Sequence, residues 1–597
     1  MTVHRGLSSS SSSARQTSQR AGKEKSPKPF NDWPNEQGFT STYREHSPVK
    51  LKVKGNIPGW AAGVLYRTGT WGGEIDTDKG GKFKVNHWFD SFSVVHRFQI
   101  LAPEDEHGSV RVFYNSRSTC DELIEKIRKN GRWDDISFGA KYDPCTSYFK
   151  KVMSIFHSYR PEGIQGKPDG YTMAVTLSAN FPGLSKTGEK QHHGHASGIQ
   201  TLCNKTDANG FQMLDPETLE PIGLASQTVL HPDLKGPFSS AHAKSDPLSG
   251  DVFNYNLEPG LKSTYRIFRV SASTGKTSIL ASFTADAAYL HSFFLSKNYV
   301  ILCVWNSFYT AHGASVLLNR NIVDSIADYD PSRPARWYVV DRRSAEEGGQ
   351  GLIAIYESDP FYCFHTINAF EEPSADGSGT DIVADLVTYN NLDILKRLYL
   401  SNLMSTSPTA AAYADPSNVS VRPQLRRFRL PSIPSSPTHS PRKALLEVTV
   451  KQSHSPELPT LNPAYVLRPH RYVYGVTDTG KATFFDGLVK YDMKTGTALT
   501  WSQHGQSAGE AIFIPRRTPQ EQEEAGEQDD EDDGVLLSVV LDGPAGRSYL
   551  LCLDAKTMTE TGRAELDGPL CFGFHGTHVS ARGSRGVGGE YGRGLDF

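Results

Sequence analysis

The 597-residue sequence lacks any clean apolar run long enough to cross a bilayer. Its longest candidate, around Ala287 to Tyr309, is interrupted by His291, Lys297, Asn298 and Asn306, well short of the ~20 apolar residues a spanning helix needs. Cysteine is sparse. The seven residues Cys120, Cys145, Cys203, Cys303, Cys363, Cys552 and Cys571 are odd in number and far apart. They include no C-x-x-C pair, which argues against a disulfide framework, structural zinc and thioredoxin-like chemistry and is expected of a reducing cytosol. An excess of one charge is also missing. Against 66 acidic residues stand 63 scattered basic ones, a net charge of −3, so nucleic acid is not an expected partner. The opening segment, Met1 to Phe30, has no apolar core of the kind a secretory signal carries and reads as a Ser-rich tail over residues 1–30.

Long helical periodicity is scarce too; the sequence is built of short β-type runs. Arg111 to Asn115, Tyr299 to Trp305, Arg336 to Asp341, Val535 to Asp542 and Tyr549 to Asp554 alternate or are continuously apolar over strand lengths. Short helices are expected only at Asp121 to Lys129 and Leu392 to Leu403. One turn recurs. An Asp ends a strand and a Thr/Ser/Gly-rich turn follows at Asp215, Asp246, Asp492 and Asp554, with a related turn at Ser271. Repeated hairpins without alternating helices fit radial repetition of small antiparallel sheets, a β-propeller, better than one sandwich. The pattern alone does not set the blade count. Residues 31–581 read as a single domain carrying surface insertions near 431–445, rich in Pro and Ser, and 515–533, rich in Gln, Glu and Asp; residues 582–597 read as a flexible tail.

The 20 histidines divide by setting. His4, His46, His107, His439, His454 and His504 lie in polar or Pro-rich surroundings and read as exposed. His192, His193 and His195 form HHGH, a triplet in a Gly-containing loop that lacks the rigid support a metal site needs. His242, His291, His365 and His575 differ, because each lies in or beside a short apolar, aromatic run. Their separations of 49, 74 and 210 residues are too long for a local finger. Such spacing suits ligands brought from different blades to one axis. Four neutral imidazoles suit zinc, copper, iron or nickel, so spacing alone does not name the metal. Histidine ligands need the second ring nitrogen fixed, and the candidate partners are Glu457, Glu510 and Asp207.

At these residues the sequence closely resembles the carotenoid cleavage oxygenase family. The likeness runs from about Asn31 to Val579 through GNIPGWAAGVLYRTG near Gly55, HWFD at His87 to Asp90, AHAKSDPLSG, YLHSFFLSKNYVIL, FHTINAFEE, ELPTLNPAYVLRPHRYVYG, DGVLLSVVLD and the terminal FHG. The resemblance implies an all-β, seven-bladed β-propeller with a loop and short-helix cap over the iron-bearing face. It implies one Fe(II) per chain, held by His242, His291, His365 and His575, with O2 as co-substrate. Glu457 and Glu510 match two supporting glutamates of the family. Asp207 stands at the third, one methylene shorter, so that the backbone comes closer, a water intervenes, or the third carboxylate lies elsewhere.

The activity implied is oxidative scission of a conjugated C=C bond of a lipophilic polyene, giving two carbonyl products without a nucleophilic side chain. The wording of SFGAKYDPC (Ser137 to Cys145) and FHTINAFEE is most like the fungal, torulene-cleaving branch, which implies conversion of torulene to β-apo-4′-carotenal. The alternative within the family is cleavage of a resveratrol-type stilbene by way of a Tyr/Lys pair, with Tyr114 and Lys141 in the relevant region. A more remote alternative is a non-catalytic polyene carrier. A polyene substrate implies peripheral membrane contact on a cytoplasmic protein, at membranes or lipid bodies. No protein partner is implied.

Overall fold

The computed structural model describes residues 30–581 except 105–108, 142–166, 185–198, 376, 378 and 518–529. The HHGH triplet, both tails and most of the acidic stretch therefore lie outside the described residues. Seven sheets of four or five strands, antiparallel but for one two-residue pairing, are arranged as a propeller, with a small two-stranded hairpin also present. The segments expected as strands are strands: Arg111–Ser118, Tyr299–Val304, Ala335–Asp341, Gly534–Asp542 and Arg547–Asp554. Their alternating or continuously apolar residues are buried between neighbouring blades, where Trp305, Trp337 and Tyr356 have no exposed surface. Each such side chain contributes roughly 1.5–3 kcal/mol of burial.

The recurring turns are hydrogen-bonded Asx turns. Asp215 accepts from the N–H groups of Glu217 and Thr218, Asp246 from Leu248 and Ser249, and Asp492 from Lys494 and Thr495. The aspartate satisfies backbone donors that a tight turn leaves unpaired.

Two strand exchanges close the ring. Lys52–Gly55 pairs with Glu560–Glu565 on the outside of the last blade. Gly576–Ser580 pairs with Gly63–Arg67 in the first blade. The second exchange needs a close approach: a Cβ on Gly573 would lie 2.0 Å from Thr68 O, so the FGFHG segment has no room for a side chain there.

The Pro/Ser-rich stretch expected as an insertion near 431–445 is partly sheet. Gln424–Ile433 continues through Pro431, Arg442–Lys443 pairs in parallel with Tyr356 and Glu357, and Leu445–Thr449 forms an outer strand of the fifth blade. Pro431 is accommodated because the register slips beside it, between Thr380 and Ile382 of the partner strand, and its carbonyl accepts from Tyr356 Oη at 2.8 Å. Sequence also places one helix at Leu392 to Leu403, where two occur, Asp393–Arg397 and Leu400–Leu403. The break falls at Tyr399, whose backbone is extended and bridges to His87.

Residues of these helices and of Ala314–Asn319, among them Ile394, Leu403 and Val316, line the largest cavity described below, where the cap is expected. Among the described residues, no helix is long and apolar enough to cross a membrane.

Candidate metal centre

The four histidines and two glutamates sit on or beside an edge strand of their sheets, and Asp207 in the turn between Leu202–Lys205 and Gly210–Leu214. His242 lies in the tight turn between Phe238–Ser239 and Lys244–Ser245. His291 precedes Phe294–Leu295, His365 lies within Tyr362–Pro373, and His575 precedes Gly576–Ser580. Glu457 opens Glu457–Thr460 and Glu510 lies within Gln506–Pro515. Register shifts fall between Cys363 and Thr366, between Glu457 and Thr460, and between Ala508 and Ala511. Such irregularities re-aim side chains that a regular pleat would send into the blade–blade packing.

The four imidazoles meet. One ring nitrogen from each of His242, His291, His365 and His575 lies within 4.8 Å of the others, and all four side chains are buried. His242 Nε2 is 3.0 Å and His365 Nε2 3.3 Å from His575 Nε2. The opposite nitrogens of three rings are fixed. His575 Nδ1 is 2.7 Å from Glu510 Oε1, His291 Nδ1 is 2.9 and 3.0 Å from the two oxygens of Asp207, and His365 Nδ1 bonds Glu457 Oε1.

Asp207 reaches its ring directly. Its turn is tied to the next blade by Ser239 N–H donating to Asp207 O at 2.9 Å, by an Ala208–Phe238 bridge and by Ala241 N–H donating to Asp207 Oδ1 at 3.1 Å. These ties hold the Asp207 turn where its carboxylate touches His291 with no water between.

Burial disfavours the charged form of three of the rings, His242, His365 and His575. Burial, followed by the neighbouring imidazoles, holds His242 well below the usual histidine range, and burial does the same for His575. Burial brings His365 down to about 4, with Glu457 working against it. Burial alone would raise Glu457, but His365, the Tyr389 hydroxyl and the Leu458 N–H outweigh it and leave the carboxyl below its ordinary value. Glu510 is pushed up to about 7 by burial, opposed by Arg67.

Carboxylates at Nδ1 of His291, His365 and His575 place the ring proton there and leave their Nε2 lone pairs towards the centre. Lone pairs at 3.3 Å, as on His365 and His575, repel unless a cation lies between them. Imidazoles at roughly 2.0–2.1 Å from a divalent ion set right-angle neighbours on the order of 3 Å apart. The donor set therefore fits a first-row transition metal with positions left open.

His291, His365 and His575 form part of the wall of a cavity of about 1360 Å3, larger than the roughly 300–1000 Å3 of an ordinary small-molecule site. Its lining is chiefly aromatic and aliphatic, with Trp88, Phe89, Phe138, Phe364, Phe484 and Phe574 around the centre and the cap across it. His242 instead faces a separate cavity of about 50 Å3 behind the rings.

Residues 39–580 match the retinal pigment epithelial membrane protein family. The chain belongs to that family. It is 41% identical over 581 residues to a carotenoid dioxygenase of Neurospora crassa, covering 92% of each chain. It is 39% identical over 570 residues to a torulene dioxygenase of Gibberella fujikuroi, covering 92% of this chain and 94% of that one. Among solved structures, a variant of Synechocystis apocarotenoid oxygenase superposes with a TM-score of 0.67 at 22% identity, covering 93% of this chain and all of the other; that likeness shows the fold.

Within this family member, the Tyr/Lys pair considered from sequence does not assemble. Tyr114 is fully buried in the first blade, bonded to His96 Nδ1 at 2.9 Å. Lys141 is exposed and lies against the Tyr399 ring at 4.6 Å. Neither lines the large cavity. Sequence reasoning missed three residues that hold the carboxylates: Tyr289, Tyr389 and Arg67. Tyr289 stands two residues before His291 in the chain, a local cue. Tyr389 and Arg67 come from other strands and carry no local signal.

Proposed function

We propose that the protein is a non-haem Fe(II) dioxygenase that cleaves one conjugated C=C bond of a carotenoid, with torulene as substrate and β-apo-4′-carotenal as product. The observation that carries this reading is the convergence of four buried imidazoles, three of them in the wall of a large, chiefly apolar cavity. The names of the fungal relatives support the substrate class and the specific carotenoid.

His242, His291, His365 and His575 would hold the ion, and Glu457, Glu510 and Asp207 would keep the ring protons on Nδ1. Fe(II) bound there would supply the one-electron chemistry that lets dioxygen react with a closed-shell alkene. The balance is one alkene and one O2 giving two carbonyls, with no external reductant and no acid or base from the chain. The chain's own part is to bind and orient. The aromatic wall fixes the polyene in register and excludes water, so that one double bond is presented and the others are sheltered.

A hydrophobic substrate must enter from a lipid phase. Leu261, 89% exposed, stands at the rim of the cavity with Pro259, Ala311 and Leu317, which supports peripheral docking of a cytoplasmic protein on membranes or lipid bodies. Leu261→Asp should weaken co-flotation with liposomes; flotation equal to the parent's would refute docking by this rim.

The test of the function is anaerobic Fe(II) reconstitution, then torulene, β-carotene and resveratrol in air with products identified by mass spectrometry. Apocarotenal from torulene is expected. Turnover of resveratrol alone, or of nothing by iron-loaded protein, would overturn the reading.

A further inference from the structure

Each carboxylate behind the metal centre meets an imidazole, Asp207 with both oxygens and the glutamates with Oε1, and its second oxygen also accepts from a further donor. For Glu510 that donor is the Gly576 N–H at 2.8 Å, with Arg67 at 3.4 Å. For the other two it is a phenol: Tyr289 Oη donates to Asp207 Oδ2 at 2.8 Å, and Tyr389 Oη donates to Glu457 Oε2. Tyr289 Oη also lies 3.3 Å from His291 Nδ1. The tyrosines come from different blades, one beside the fourth blade's inner strand and one at the end of Thr380–Tyr389 in the fifth. Both line the large cavity and both are buried.

A carboxylate held through one oxygen can still rotate about its Cβ–Cγ or Cγ–Cδ bond, and its imidazole then tilts with it. Metal ligands need their orientation fixed to about 0.5 Å and 10–20°. A second hydrogen bond on the other oxygen fixes the carboxylate plane, as Gly576 does for Glu510. We propose that Tyr289 and Tyr389 are positioning residues of the metal centre, whose hydroxyls orient the Asp207 and Glu457 carboxylates and through them His291 and His365. This rests on the metal-binding reading above. A consequence is that wall and ligands form one connected unit: the rings that a polyene would touch carry the hydroxyls that aim two of the four histidines.

A purely steric role for these rings makes the opposite prediction, since phenylalanine would serve equally well. The experiment compares Tyr289→Phe and Tyr389→Phe with the parent and with Tyr356→Phe. Tyr356 is fully buried and donates to Pro431 O at 2.8 Å away from the cavity, so it reports the generic loss of a buried hydroxyl. Co(II) serves as the probe metal, with affinity read by chelator competition and geometry by the visible d–d spectrum. The Fe(II)-loaded proteins are assayed with torulene.

Tyr289→Phe and Tyr389→Phe should each weaken Co(II) binding about tenfold, the lower end of what loss of an outer partner costs. They should shift the cobalt bands and lower kcat while leaving KM near the parent's. Tyr356→Phe should keep the parent spectrum. Parent-like cobalt affinity and spectrum in both cavity variants, or a rise in KM alone, would overturn the proposal. Should one variant fail to fold, the other decides independently. A parent protein that takes up no cobalt or iron would instead sink the underlying metal reading, and the proposal with it.

Discussion

Replacing Asp207 with asparagine isolates the carboxylate behind His291. Asp207 receives His291 Nδ1–H at 2.9 and 3.0 Å, Tyr289 Oη at 2.8 Å and Ala241 N–H at 3.1 Å. Asparagine can keep the Ala241 bond through Oδ1. Its amide nitrogen then replaces the oxygen that accepts from Tyr289 Oη and lies 2.9 Å from His291 Nδ1, so the ring keeps only a neutral amide oxygen, at 3.0 Å, in place of a carboxylate. A lost hydrogen bond to a charged group costs ~1.5–3 kcal/mol. Loss of an outer partner typically lowers metal affinity 10–100-fold, or about 1.4–2.7 kcal/mol. Chelator competition with Co(II) or Fe(II) measures this directly, and thermal melts of metal-free protein separate it from folding. Asp207→Glu should not improve on the parent, because the carboxylate already lies at contact distance and an added methylene must be housed at a cost of ~1–3 kcal/mol. Asp207→Asn with unchanged metal affinity would refute the claim that His291 is held through Asp207.

His365→Ala should abolish cleavage and lower iron content while leaving the protein folded; an active variant with parent-like iron would refute the ligand assignment. Gly573→Ala should lower Tm, by ~1–3 kcal/mol of overpacking, and loosen metal binding, because its Cβ would meet Thr68 O at 2.0 Å beside the strand that carries His575; a parent-like Tm would contradict the close approach. The metal-free protein should lose stability on acidification from pH 6.5 towards 4. Burial holds His87 and His96 at about 3 and His365 and His578 at about 4. In that window the unfolded chain binds protons at these rings and the folded one does not, up to ~1.4 kcal/mol per pH unit for each. Asp90 at about 6 and Glu510 at about 7, raised by burial, act the other way but are fewer. A Tm that stays flat or rises between pH 7 and 5 would refute the balance.

The strands and the four histidines were legible because both are local signals: short apolar runs, and a polar ring embedded in each of four of them. The wording of those segments also pointed to the family. Three things were not legible, for a shared reason. The register slips at Glu457 and Glu510, the Tyr389 bond to Glu457 and the anchoring of the Asp207 turn depend on which strands become neighbours. Asp207 shows this best. Its side-chain length left a closer backbone, an intervening water or another carboxylate open, and the structure has direct contact with His291 from a turn tied to Phe238 and Ser239. The broken helix at Tyr399 likewise follows from a bridge to His87, more than 300 residues away in sequence.

The ring is completed by Gly576–Ser580 joining the first blade, and His575 immediately precedes that strand. A ribosome-bound chain can therefore present at most three of the four imidazoles until this last stretch emerges. A metal held by all four rings has no finished cradle until then, so closing the ring and completing the site fall to the same segment.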